Sequence, residues 1–221
     1  MNNVGGNESL TSKAYNYLFD KIVRCVLAPG AEINEKQLLE DSGIGRTPLR
    51  EALVKLQEDG LISIFPRKGM MVTELTEKTI HDLYQTRKYI EPGMICECKA
   101  LYSKVVLMDF LRRFEESVTM DHLERFDLDL EFHMYLISIT NNDVLIKTYS
   151  SLMITQKRLA MYAIVQEEGA EQEFIFEQHR KIIDALLREN DSDIRDAVVF
   201  HLSHSMIRSL NSIKGISLAE K

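Results

Sequence analysis

After Pro92 no proline interrupts the chain, and from that point on apolar residues keep returning three and four positions apart. A 3.6-residue repeat with no backbone breaker predicts helices, each with one apolar face to bury. The interruptions are short and rich in capping or turn residues: ValThrMetAsp at 118–121, ThrAsnAsnAsp at 140–143, GluGluGlyAla at 167–170 and GluAsnAspSer at 189–192. They divide the stretch into helices expected at about 77–102, 105–118, 121–140, 143–165, 171–189 and 192–212. Six helices with links this short fit an all-α antiparallel bundle. The expected body is 76–214, with a tail at 215–221.

The first 75 residues have a different texture. Leu10 to Leu27 carries apolar residues at helical spacing and runs into AlaProGly at 28–30, a stop signal. Asn34 is placed to cap a short second helix that Gly43 ends. A third helix is expected to run from the GlyIleGly link to Gly60, burying Leu49, Ala52, Leu53 and Leu56. LeuIleSerIlePhe and MetMetValThrGluLeu then read as two strands joined by a turn at Pro66–Gly69. Helix, helix, tight turn, helix and hairpin is the order of a winged helix-turn-helix, expected at 10–75 after a tail at 1–9.

The third helix carries Arg46 and Arg50 four apart on one face, opposite its apolar side. Arginine pairs bidentately with guanine in the major groove, and Thr47 can bond a phosphate or a thymine edge. Arg67, Lys68 and Gly69 fall at the hairpin tip, where glycine lets the backbone approach phosphates. A net charge of −7 argues against nucleic-acid binding only as an average. Residues 1–75 hold nine Lys/Arg against ten Asp/Glu, so most of the excess acid lies in the body. Gly45 stands where a polar capping residue is expected, and Thr47 beside Pro48 is a candidate to cap the helix instead. No apolar run approaches the roughly 20 residues of a membrane span. The start lacks the basic and apolar regions of a secretory signal. A cytoplasmic location is therefore expected, with Cys25, Cys96 and Cys98 reduced.

In the body, Asp129 and His133 lie four apart on one helix, and His179 and His201 fall in two others. A metal site in a bundle core draws its ligands from several helices in this way, although a single helical histidine is more often a packing or surface residue.

GlyIleGlyArgThrProLeuArgGluAlaLeu at 43–53, the later AspGlyLeu and the ProArgLysGly wing resemble the DNA-binding head of GntR-type bacterial transcription regulators. The resemblance implies operator contacts by Arg46, Thr47 and Arg50, with Gly69 at the wing and Lys36 as a further basic contact. AspLeuGluPheHis at 129–133, GluGlnHis at 177–179 and HisLeu at 201–202 resemble the FadR-type C-terminal ligand domain (FCD), as does LeuTyrGlnThrArgLysTyrIleGlu at 83–91. Six body helices rather than seven lean toward its shorter, VanR-like branch.

Metal-binding members of that domain use an aspartate and three histidines, which carries Asp129, His133, His179 and His201 over as ligands, with His204 as an impostor one turn on. Such a set suits zinc, nickel, manganese or iron alike. The implied function is a homodimeric regulator whose operator affinity responds to a small organic acid at the metal-containing site. Arg87 is the candidate bond to the acid, with a salt bridge to Glu91 the equal alternative. The competing functions are a metal-dependent enzyme acting on a small carboxylate and a regulator whose metal is purely structural.

Overall fold

Ser9 accepts a hydrogen bond from the Ser12 amide, satisfying one of the loose N–H groups that open every helix, and α1 (Leu10–Val23) starts there. The computed structural model describes residues 8–65, 69–166 and 173–217, divided between two compact units, Met1–Leu75 and Thr76–Lys221. No described helix is long and apolar enough to cross a membrane.

In the first unit α1 stops at Val23, short of the predicted Leu27. Cys25 takes a left-handed conformation at φ 55°, and the Leu27 amide turns back to the Lys21 carbonyl. That closure ends the helix before the AlaProGly signal and leaves Val26 exposed. Strand β1 (Glu32–Ile33) follows, then α2 (Glu35–Ser42), capped by Asn34 and closed by Gly43 at φ 65°. Helix α3 (Arg46–Glu58) buries Leu49, Ala52, Leu53 and Leu56 against α1's Ala14, Leu18 and Ile22 and is followed by the hairpin of β2 (Ile62–Phe65) and β3 (Gly69–Val72). Each buried leucine contributes about 1.5–3 kcal/mol of transfer free energy.

The three strands form one antiparallel sheet in the order β1-β3-β2, with Glu32 opposite Met71 and Ile62 opposite Val72. Two residues are too few to show a period, so the pattern missed β1. The wing strands lie where they were predicted, but Pro66, Arg67 and Lys68 at the predicted turn lie outside the described residues.

The second unit is all helical: α4 (Glu77–Glu97), α5 (Lys104–Glu116), α6 (His122–Ser138), α7 (Asp143–Gln166), α8 (Glu173–Arg188) and α9 (Asp191–Ser217). Thr76 and Asp121 open α4 and α6 with reciprocal capping boxes. Helix α4 passes through Pro92 but ends at Glu97, and a 3-10 turn over Lys99–Leu101 replaces the last turn expected of it. Helix α9 continues to Ser217, so the tail expected from 215 is helical for its first three residues. Phe110 and Phe114 of α5 meet Phe132 of α6 edge-on, at 5.2 and 5.4 Å between ring centroids. This aromatic cluster supports one side of the site described below.

Thr47 does not take over the capping of α3. The helix already includes Arg46, and Gly45 is its N-cap in extended conformation, with no side-chain capping bond. A Cβ there would meet only the Pro48 ring, at 3.7 and 3.8 Å. Gly45→Ser is therefore expected to stabilise this unit by a few tenths of a kcal/mol in chemical denaturation, and a loss of stability would contradict the assignment.

Candidate metal centre and nucleic-acid face

The i, i+4 spacing on α6 brings Asp129 and His133 to one face; α8 supplies His179 and α9 supplies His201. One potential ligand atom from each of the four lies within 4.8 Å of all the others. His133 Nε2 is 3.0 Å from His201 Nε2, and Asp129 Oδ1 is 2.8 Å from His179 Nε2 and 3.9 Å from His133 Nε2. Donors at right angles around a first-row ion with bonds of about 2.1 Å stand about 3.0 Å apart, so these separations suit a shared ion.

The protonation states fit as well. Burial and the neighbouring imidazoles of His179 and His133 push His201 well below the ordinary histidine value, leaving it neutral. Burial works to raise the Asp129 carboxyl, but the bond to His179 and the surrounding imidazoles outweigh it and hold the group well below the carboxylate range. One carboxylate beside three imidazoles is a donor set for zinc, nickel, manganese or iron. His204 stands apart from the set, against the Phe200 ring at 4.4 Å.

The packing around these donors is specific. The His179 ring stacks on Phe114 at 4.4 Å and 7°. Behind His133 lies Glu91 of α4, which is fully buried. Its Oε2 is 3.0 Å from His133 Nδ1, and its Oε1 accepts bonds from Arg87 Nε and from the Tyr149 hydroxyl at 2.7 Å. Burial alone would raise this carboxyl, but the Arg87 guanidinium and His133 bring it down to about 2. Behind His201, Gln178 Oε1 is 3.0 Å from Nδ1.

Arg87 is also buried. It bonds Glu91 through Nε and Gln156 Oε1 through Nη1 at 3.1 Å, the contacts of the ion-pair alternative. The sequence carried no mark for Gln156, Gln178 or Tyr149, because a lone glutamine or tyrosine in a helix has no spacing to read.

Asp129, His179 and Gln156 form part of the wall of a cavity of about 150 Å³. Phe126, Leu159, Ala160 and Ala163 give it an apolar side. Ser205, Ser209, Arg125 and Arg208 give it a polar one. Arg125 Nε also holds the Met120 carbonyl at 2.8 Å. Arg87 is not among the lining residues.

In the first unit Arg46 and Arg50 project from the start of α3 and are exposed. Glu35 of α2 receives Arg50 Nε at 2.9 Å and lies 3.9 Å from Arg46 Nε. Lys36 is exposed beside Glu40, Thr47 is exposed, and Gly69 opens β3 at φ 93°. Lys68 lies outside the described residues.

Two family models match the chain: "Bacterial regulatory proteins, gntR family" over residues 10–72 and "FCD domain" over residues 82–204. The Nta operon transcriptional regulator of Aminobacter aminovorans is 30% identical over 190 residues, spanning 85% of this chain and 88% of that protein. The HTH-type transcriptional repressor RspR of Escherichia coli K12 is 26% identical and spans 88% and 86%. Among solved structures, E. coli McbR/YncC superposes with a TM-score of 0.77 over 93% of this chain and 99% of that one, at 19% identity, a likeness of fold.

Removing one member of a buried ion pair strands the other. Arg87→Met is therefore expected to lower unfolding stability by about 3–5 kcal/mol, whereas a change under 1 kcal/mol in urea denaturation would show that Glu91 does not depend on it.

Proposed function

The chain belongs to the gntR family of bacterial regulatory proteins, with an FCD domain as its second unit, and we propose that this DNA-binding transcription regulator adjusts its operator affinity through a metal and a small organic acid held in that domain. The proteins it resembles are transcriptional regulators rather than enzymes. The observation that carries the proposal is the placement of Asp129 and His179 in the wall of the cavity. A metal held by Asp129, His133, His179 and His201 can then be reached from that cavity.

The metal supplies a Lewis-acidic anchor for a carboxylate, and the protein supplies the rest of the recognition. Arg125 and Arg208 add cationic donors, while Phe126, Leu159 and the two alanines accept an apolar body. A cavity of about 150 Å³ suits a small acid. A structural metal alone would not require an opening on one side of its donors. In this reading Arg87 serves the site indirectly, by holding Glu91.

In the head, Arg46 and Arg50 read base edges, with Thr47, Lys36, Lys68 and Gly69 positioning the backbone. Two copies of the chain read the two halves of a pseudo-palindrome. Glu35 keeps both arginines over the groove-facing end of α3 before DNA arrives.

Metal analysis of the purified protein, followed by thermal shift with chelator and a panel of carboxylic acids, tests the body. Bound metal at a hundred times its Kd stabilises the fold by about 2.7 kcal/mol, so chelation should lower the melting temperature. Asp129→Ala should abolish both the metal and the response to acids. Unchanged metal content in that variant would refute the ligand assignment. For the head, Arg46→Ala should cost about 1–3 kcal/mol of discrimination at one base pair. Lys68→Ala should weaken binding to all sequences and reduce the salt slope by about one; fluorescence anisotropy on operator and scrambled DNA separates the two effects.

A further inference from the structure

An acid stands on the face of the first unit that carries the exposed arginines. Glu35 opens α2, where Asn34 Oδ1 fixes the start of the helix by accepting from the Gln37 amide at 3.2 Å. A carboxylate in a first turn is favoured by the free amides there, so the residue type alone says little. Its direction says more. The side chain reaches across to α3 and is 24% exposed, against 63% for Arg50 and 71% for Arg46. Its Oε1 accepts from Arg50 Nε at 2.9 Å and lies 3.9 Å from Arg46 Nε. Lys36, the next residue, pairs instead with Glu40 of its own helix.

A guanidinium can grip two acceptors at once in two ways: from its side, through Nε–H and one terminal N–H, or from its end, through both terminal nitrogens. Glu35 occupies Nε of Arg50, so the side is taken while the end stays open. Among the described residues the terminal nitrogens of Arg46 and Arg50 have no hydrogen-bond partner. An end-on fork can meet O6 and N7 of guanine in the major groove. A phosphate drawn to the same arginine also meets the Glu35 carboxylate, a like charge. The guanine edge carries no charge and meets no such repulsion.

We propose, resting on the assignment of α3 as the base-reading helix, that Glu35 determines specificity by making Arg50, and with it Arg46, a poor partner for phosphates and a good one for base edges. Specificity is a difference of two affinities, so weakening the wrong complex raises it as surely as strengthening the right one. On DNA of arbitrary sequence essentially all of the binding is to phosphates. A carboxylate between the reading arginines weakens that mode and leaves their forks oriented for bases. Glu35 is thus a positioning residue whose negative charge opposes DNA binding in general and favours the selected sequence.

Fluorescence anisotropy with the full-length protein tests it, across a salt series, on a duplex that the wild type selects from a random library and on a scramble of that duplex. Glu35→Gln should strengthen binding to the scramble and steepen its salt slope by about one, as Arg50 turns to a phosphate. It should also reduce the preference for the selected duplex about tenfold, the share of one bidentate base contact. Glu40→Gln removes the same charge from the same helix and should change binding to both duplexes by one common factor. Arg50→Lys removes the fork itself, so its loss of preference and that of Glu35→Gln should not add in the double variant. Additive losses would overturn the proposal, as would a loss of preference in Glu40→Gln equal to that in Glu35→Gln. A preference that survives Glu35→Gln would overturn it alone, whereas a wild type that selects no duplex would overturn the base-reading assignment of α3 and the proposal with it.

Discussion

The second unit is organised around a polar group that a helical bundle would ordinarily exclude from its centre. Three imidazoles and a carboxylate converge there, backed by the fully buried Glu91. Taking charge out of water costs several kcal/mol per ion after relaxation, and the fold tolerates this only because each group meets a partner. Arg87 neutralises Glu91, Tyr149 and His133 complete its hydrogen bonds, and Gln156 takes one arm of the guanidinium. Five of the six helices contribute to this arrangement, α4 through α9 with the exception of α5, which contributes Phe114 as a stacking surface for His179. A well-packed hydrophobic replacement of buried ionic groups is often neutral or stabilising, so stability alone does not account for this polar centre.

The cavity gives that centre an outlet. Its donors are enclosed on the Glu91 side and reach open volume on the Asp129 and His179 side. Asp129 and His179 thus face the cavity, while His133 and His201 are backed by Glu91 and Gln178. The wall sets serines and arginines against an apolar side on α7.

Much of this was legible in the residues. The body helices follow from periodicity because each has a continuous apolar face, and the third helix of the head follows because Leu49, Ala52, Leu53 and Leu56 all point inward. The i, i+4 pair of Asp129 and His133 could be read as one face of one helix. Their meeting with His179 and His201 is a property of helix packing, for which the sequence offered only a family likeness. Where the reading strayed, local geometry overruled pattern: Cys25 ended the first helix without a glycine, β1 was too short to show a period, and Gly45 kept its place as a cap without a side chain. Arg87 shows the limit most clearly. Its spacing from Glu91 was visible, but the choice between pairing and ligand binding depended on burial and on Gln156, residues away in the chain.

On the proposed function, the donor set in the body and the arginines in the head serve one regulatory role. Its most direct test is operator affinity by fluorescence anisotropy, for wild-type protein and Asp129→Ala, each stripped of metal and then supplied with zinc and a small carboxylic acid. Wild-type affinity should change on supplying zinc and acid while the variant's does not. Wild-type affinity that is the same in all conditions, or a variant that responds as the wild type does, would contradict it.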